Sequence, residues 1–98
     1  MKYVQMIEFT TTRIDEVRAL DQQWQDATVG KRTATAMSIA QDRDRPNTYV
    51  WIIEFPSAED AERNNELPET QQIAGEMAKL CDGEPTFRNL DLLEERSL

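Results

Sequence analysis

No histidine occurs in the chain, so any chemistry it performs runs on amides, aromatic rings, carboxylates and arginine. Ser-His-Asp and Cys-His nucleophilic centres, histidine-ligated haem and nearly every catalytic zinc site are excluded. Carboxylates alone can hold Mg²⁺ or Ca²⁺, but no EF-hand loop is present, and Asp42 and Asp44 fall in a turn-like stretch. No metal or other cofactor is expected. What remains as ligand-binding candidates are the amides Gln5 and Asn64, the aromatic rings of Trp24, Tyr49 and Trp51, and the guanidinium of Arg88.

Each of these has a structural reading beside the functional one. A buried Gln without a partner costs about 1–3 kcal/mol. Gln5 is therefore satisfied by the Trp51 indole N–H or a backbone group, or it orients a ligand over an aromatic floor. Trp24 packs in the core or forms a pocket wall. Asn64 and Asn65 cap a broken helix or line a pocket mouth. Arg88 holds an anionic or phenolate group, or one of the many acids. Glu8 and Glu54 qualify as general bases only if buried away from cations. Cys81, the single cysteine, ends an apolar helical face and is expected to pack rather than react. It excludes an internal disulfide and fits a reducing cytosol.

The elements that must position these groups follow from periodicity. Residues 2–10 alternate as a strand with apolar residues on both faces, Tyr3, Ile7 and Phe9 against Val4 and Met6. Thr12 with Asp15 starts a helix, whose stripe Ile14, Val17, Leu20, Trp24, Ala27 recurs every three or four residues, and Gly30 ends it. Residues 32–41 read as a second strand, 42–47 as a hairpin connection with Pro46 and Asn47, and 48–55 as a third strand. Ser57 with Asp60 opens a second helical segment and Gly83 closes it. Within it, pieces over 58–64 and 69–81 flank a break at Asn64-Asn65, with Pro68 suited to the first turn of the second piece. Gly75 inside that piece costs up to about 1 kcal/mol relative to Ala. Residues 86–95 alternate as a fourth strand.

The order β-α-β-β-α-β is the ferredoxin-like α+β arrangement, helices on one face of a four-stranded antiparallel sheet, and the length fits one domain spanning residues 1–98. Pairing Lys2 with Glu54 sets a register in which Val4 meets Ile52, Met6 meets Val50, Gln5 meets Trp51 and Ile7 meets Tyr49. That collects Gln5, Tyr49 and Trp51 on one face. Because the first and third strands are apolar on both faces, the face without helices needs a cover. A second copy of the sheet supplies it, giving a homodimeric α/β barrel. A chain this short buries only about 60–65% of its unfolded surface, so a partner subunit adds stability.

A net charge of −8 argues against nucleic acid and anionic membranes as partners, since both need clustered Lys and Arg. No run approaches the roughly 18 apolar residues of a membrane span. MKYVQMIEF alternates like a strand rather than reading as a signal peptide, so a cytoplasmic location is expected.

YVQMIEF, YVWIIEFPSAEDA, NNELPET and PTFRNLDLLEE together resemble the dimeric α/β-barrel superfamily, in particular small antibiotic biosynthesis monooxygenase-like proteins. The resemblance covers nearly the whole chain. It implies a pocket for a small hydrophobic or aromatic ligand between the sheet and helices of each subunit, and cofactor-free oxidation of polycyclic phenols with Asn, Trp, Tyr and Arg orienting the substrate. The superfamily also contains haem degraders, isomerases and members without known activity. Haem-degrading members need a histidine on the second helix, where this chain has Ala74 or a neighbour, and carry a Trp where it has Asn64. Haem degradation by that route is disfavoured, whereas isomerase chemistry of the muconolactone type stays open.

The break itself has an architectural reading. A continuous helix from Ser57 to Gly83 would run about 39 Å, against about 27 Å for an eight-residue strand. Interrupting it lets the second half lie along the sheet and sets NNELPET at the pocket's lip.

Overall fold

The computed structural model describes all 98 residues. Its elements are β1 (Tyr3–Thr10), α1 (Ile14–Ala27), β2 (Ala36–Gln41), β3 (Thr48–Phe55), α2 (Ala58–Glu66), α3 (Pro68–Leu80) and β4 (Thr86–Asp91). The strands form one antiparallel sheet in the order β2-β3-β1-β4. This is the ferredoxin-like topology expected from the order of elements.

The β1–β3 register differs from the expected one by two residues. Val4, not Lys2, stands opposite Glu54, Gln5 opposite Ile53, Ile7 opposite Trp51 and Phe9 opposite Tyr49. Three aromatic contacts accompany this alignment: Phe9 stacks on Tyr49 at 5.8 Å between centroids, tilts against Trp51 at 5.5 Å, and Tyr3 meets Phe55 at 6.1 Å. Such pairs contribute about 0.5–1.5 kcal/mol each beyond burial. An exposed ion pair contributes about 0–1 kcal/mol, and here it survives diagonally, with Lys2 Nζ 2.8 Å from Glu54. Aromatic packing therefore decides the register. A two-residue shift preserves the faces, because side chains alternate with period two.

Gln5, Ile7, Phe9, Tyr49, Trp51 and Ile53 thus share the face on which the helices pack. Ile7, Phe9 and Trp51 form the core with Val17 of α1 and Met77 of α3, and Val17 and Phe55 are wholly buried. On the opposite face stand Val4, Met6, Val50 and Ile52, flanked by Ala36, Ser38 and Ala40 of β2. No helix covers them. No helix is long and apolar enough to cross a membrane.

Several boundaries moved, each for a local reason. α1 has Arg13, not Thr12, at its N-cap and no side-chain cap. Thr11 does the neighbouring work, accepting from the Arg13 N–H at 2.9 Å and donating to the Leu80 carbonyl at 2.6 Å. β2 begins at Ala36 rather than residue 32, because Thr33 turns aside to bond α2 through the Asn64 side chain and the Asp60 carbonyl. β4 stops at Asp91 rather than 95; one more backbone bond, Leu92 N–H to Lys2 C=O, exhausts β1. Ser57 caps α2 as expected, accepting from the Asp60 N–H.

The helix break is also displaced. α2 continues through Asn64-Asn65 to Glu66, and the interruption is the single residue Leu67, at φ −61° and ψ 131°. Pro68 disfavours the helical conformation for the residue before it, so Leu67 goes extended and serves as the last cap of α2 and the first of α3. The Asn pair belongs to the final turn of α2. Gly30 and Gly83, both at φ near 80°, follow the ends of α1 and α3 in the left-handed region that glycine enters without steric cost.

Candidate functional site

Between the helix-bearing face of the sheet and the three helices lies a cavity of about 300 Å³, the lower end of the roughly 300–1,000 Å³ usual for ligand sites. Its floor is Gln5 and Ile7 of β1 with Trp51 and Ile53 of β3. Met37 of β2 and the exposed Phe87 of β4 stand at its sides. Trp24 of α1, Asn64 of α2 and Thr70 and Met77 of α3 form the roof. Most of the lining is apolar, with few polar groups, which is the composition of a small-molecule site.

The polar groups of the lining are tied into the fold by hydrogen bonds. The Trp24 N–H donates to Thr70 Oγ1 at 2.9 Å, joining α1 to α3, while Arg32 lies 5.8 Å from the centre of the Trp24 ring. Arg32 is itself engaged by the Gln25 carbonyl at 2.8 Å. Asn64, almost wholly buried, accepts from the Thr33 N–H at 3.4 Å through Oδ1. Gln5 donates to Asn89 Oδ1 of β4 at 3.3 Å, so its partner is neither Trp51 nor the backbone. No buried side-chain polar atom is orphaned. The NH₂ of Asn64 and the carbonyl of Gln5 bond nothing in the chain and are not sealed from solvent, and both residues line this cavity.

Asp21 is the sole charged side chain lining the cavity. It lies one turn before Trp24 on α1, and Gln25 Nε2 donates to its Oδ2 at 2.7 Å. Burial pushes its carboxyl above the ordinary range, partly opposed by the Gln25 bond. No lysine or arginine pairs with it, although the many other acids of this chain repeatedly find such partners.

Of the residues singled out from sequence, Gln5, Trp24, Trp51 and Asn64 converge on the cavity. Tyr49 shares their face but lies two residues before Trp51 on β3, opposite Phe9 and stacked on it, beside Ile14 and Ile39. Arg88 is on the other face altogether: it stands opposite Met6, whereas Phe87 and Asn89 point to the cavity side. The cavity thus lacks the cation expected of it. Glu8 and Glu54, also on that other face, are held by Arg45 at 2.6 Å and Lys2 at 2.8 Å, so neither serves as a base. Cys81 packs against the core, and burial raises its thiol pKa.

Asp21, Thr70, Phe87 and Asn89 were not foreseen. Asp21 had a faint signal, since it falls four residues after Val17 and three before Trp24, on the flank of the apolar stripe. Thr70, Phe87 and Asn89 had none, because their roles depend on which partner strand or helix they face.

No protein-family model matches the sequence, and a search of curated proteins finds no match. Solved structures do match. SnoaB, a cofactor-independent oxygenase from Streptomyces nogalater, is 14% identical, with 96% of this chain and 95% of that one covered at a TM-score of 0.80. The Rv0793 structure from Mycobacterium tuberculosis is 14% identical over 99% and 100% of the two chains, TM-score 0.80. A structure described as an antibiotic biosynthesis monooxygenase is 18% identical over 96% and 100%, TM-score 0.75. The class defined by these likenesses is the antibiotic biosynthesis monooxygenase-like fold. This chain has that fold, and at such identities the likeness is one of fold.

Proposed function

We propose that the protein is a small-molecule-binding homodimer related to the cofactor-independent monooxygenases, which oxidises a small aromatic substrate with O₂ in the cytoplasm. The observation that carries this reading is the mostly apolar cavity floored by Trp51 and roofed by Trp24, with Asn64 and Gln5 in its lining and the Asn64 NH₂ and Gln5 carbonyl unbonded within the chain. A flat aromatic fits between the indoles while the amides set its orientation. In such a reaction the deprotonated substrate reduces oxygen itself. A methylene flanked by aromatic rings becomes a carbonyl, and the second oxygen atom leaves with both hydrogens as water. The chain's part is to position the substrate, exclude bulk water and hold the developing negative charge on the Asn64 NH₂.

The partner subunit belongs to this reading through the helix-free face. Val4, Met6, Val50 and Ile52 at its centre, with Glu8–Arg45 and Lys2–Glu54 ion pairs at its two ends, match an apolar interface core with a charged rim.

Oxygen uptake with a panel of anthrone-like and quinol substrates tests the enzyme. Uptake above the uncatalysed rate, falling at least tenfold in Trp51→Ala and in Gln5→Ala, is expected; variants that match the wild type would remove this cavity from the reaction. A second reading, a non-catalytic ligand-binding dimer, draws on one observation: the absence of any cation facing the cavity to stabilise a substrate anion. Saturable binding of the same compounds without oxygen uptake would select it.

A further inference from the structure

The charge of the cavity limits what can enter it. Asp21 is the one charged group in its lining. Arg88, the cation that sequence suggested, faces the opposite side of the sheet. Arg32 is close to Trp24, but its guanidinium is bound to the Gln25 carbonyl and Thr28 and does not line the cavity. Lys31, the neighbouring cation, is paired with Glu69 at 2.8 Å. An aromatic carboxylate or preformed phenolate would therefore meet a like charge in a partly desolvated space whose lining holds no counter-ion, an arrangement that costs more there than in water; Arg18, one turn before Asp21, lines a neighbouring depression that Asp21 also borders and forms no ion pair with it.

Asp21 is also incompletely satisfied. Gln25 donates to Oδ2, and Oδ1 has no partner in the chain, so a carboxylate oxygen remains to accept a hydrogen bond. Burial raises the carboxyl's affinity for a proton. Asn64, which also lines the cavity, carries an NH₂ that bonds nothing in the chain.

We infer that the cavity takes its aromatic ligand in the neutral, O–H-bearing form, with Asp21 accepting that hydrogen, and rejects aromatic anions of the same size. This deepens, and rests on, the reading of the cavity as an aromatic-binding site. The arrangement keeps the site's charge constant. Before transfer the carboxylate holds one negative charge. When the proton moves from the hydroxyl oxygen to Asp21, the O–H bond breaks, its electron pair stays on the aromatic oxygen, and the carboxylic acid is neutral. The single negative charge then resides on the ligand, beside the Asn64 donor. A preformed anion, by contrast, would place two negative charges in the same space.

The chain has two tryptophans and both border the cavity, so the two indole N–H signals in a ¹H–¹⁵N spectrum report its occupancy. The probes are 2-naphthol, 2-methylnaphthalene and 2-naphthoate at neutral pH. Wild-type protein should bind 2-naphthol at least tenfold more tightly than 2-naphthoate, a difference of about 1.4 kcal/mol. Asp21→Asn, its fold checked by the rest of the spectrum, should reduce that preference to under about threefold, the tenfold selectivity being charge-derived. Equal binding of naphthol and naphthoate to the wild type overturns the inference without need of any variant. So does an undiminished preference in Asp21→Asn. If 2-methylnaphthalene and 2-naphthol both leave the two indoles unmoved, the aromatic-binding reading fails first, and this inference with it.

Discussion

The Trp24 indole N–H donates to Thr70 Oγ1 over 2.9 Å, a bond between residues far apart in sequence that closes the cavity's roof by tying α1 to α3. Replacing Thr70 by Val removes the acceptor while keeping the side chain's shape. The expected loss is about 1–2 kcal/mol, or roughly 4–8 °C in Tm per kcal/mol for a domain of this size. Trp24→Phe removes the donor at the other end. In a double-mutant cycle the two losses should fall short of additive; strict additivity in thermal melts would mean that the bond contributes nothing.

The adjacent amides Asn64 and Asn65 should behave very differently. Asn64 is buried and accepts from the Thr33 N–H, pinning the segment before β2 to α2, while Asn65 is exposed. Asn64→Ala should cost about 1–3 kcal/mol by leaving that N–H unpaired. Asn65→Ala should stay within about 0.5 kcal/mol of wild type. Urea denaturation of the two variants side by side measures the contrast.

Asp21 predicts a specific pH dependence. Its folded pKa is raised above the ordinary 3.8 by burial, so the folded state binds the proton more tightly than the unfolded chain does. The resulting penalty on stability is full above the folded pKa, shrinks as pH falls through it, and is gone below the unfolded value. Asp21→Asn should therefore melt higher than wild type at pH 7. Because the side chain is partly solvated, the gain is small, about 1–4 °C. It should disappear as the pH approaches 4. A Tm difference that is flat across this range would contradict the assignment.

The helix-free face gives a prediction about assembly. Ile52 sits at its centre between Met6 and Ser38. With a second sheet against it, Ile52→Glu buries an unpaired charge in the interface, which is strongly unfavourable. Native mass spectrometry should find wild type as a dimer at micromolar concentration and Ile52→Glu as a folded monomer, its fold checked by circular dichroism. A monomeric wild type would rule the pairing out.

Much of this architecture was legible because it is local. Alternation over residues 2–10 and 48–55 and the stripe Ile14, Val17, Leu20, Trp24 are properties of short segments, and strand and helix follow from them. Gln5 and Trp51 could be placed on one face because a strand's alternation survives any even shift of register. The helix break lies two to three residues beyond the expected Asn64-Asn65 for an equally local reason: two asparagines look like a terminus, while the constraint that ends α2 is the steric clash of Pro68 with the residue before it.

Longer-range relationships had no such imprint. Whether β4 turns Arg88 or its neighbours Phe87 and Asn89 toward the cavity depends on pairing with β1, some eighty residues away, and nothing in TFRNLD specifies the parity of that pairing. Asp21 reads as one of the chain's 19 acids until α3 and the sheet close around it and withdraw water. The sequence by itself determined the order of elements and the two-faced sheet, since these rest on periodicity and composition. Tertiary structure alone decided which charge faces the cavity, because that depends on how segments distant in the chain are aligned and on the solvent they exclude.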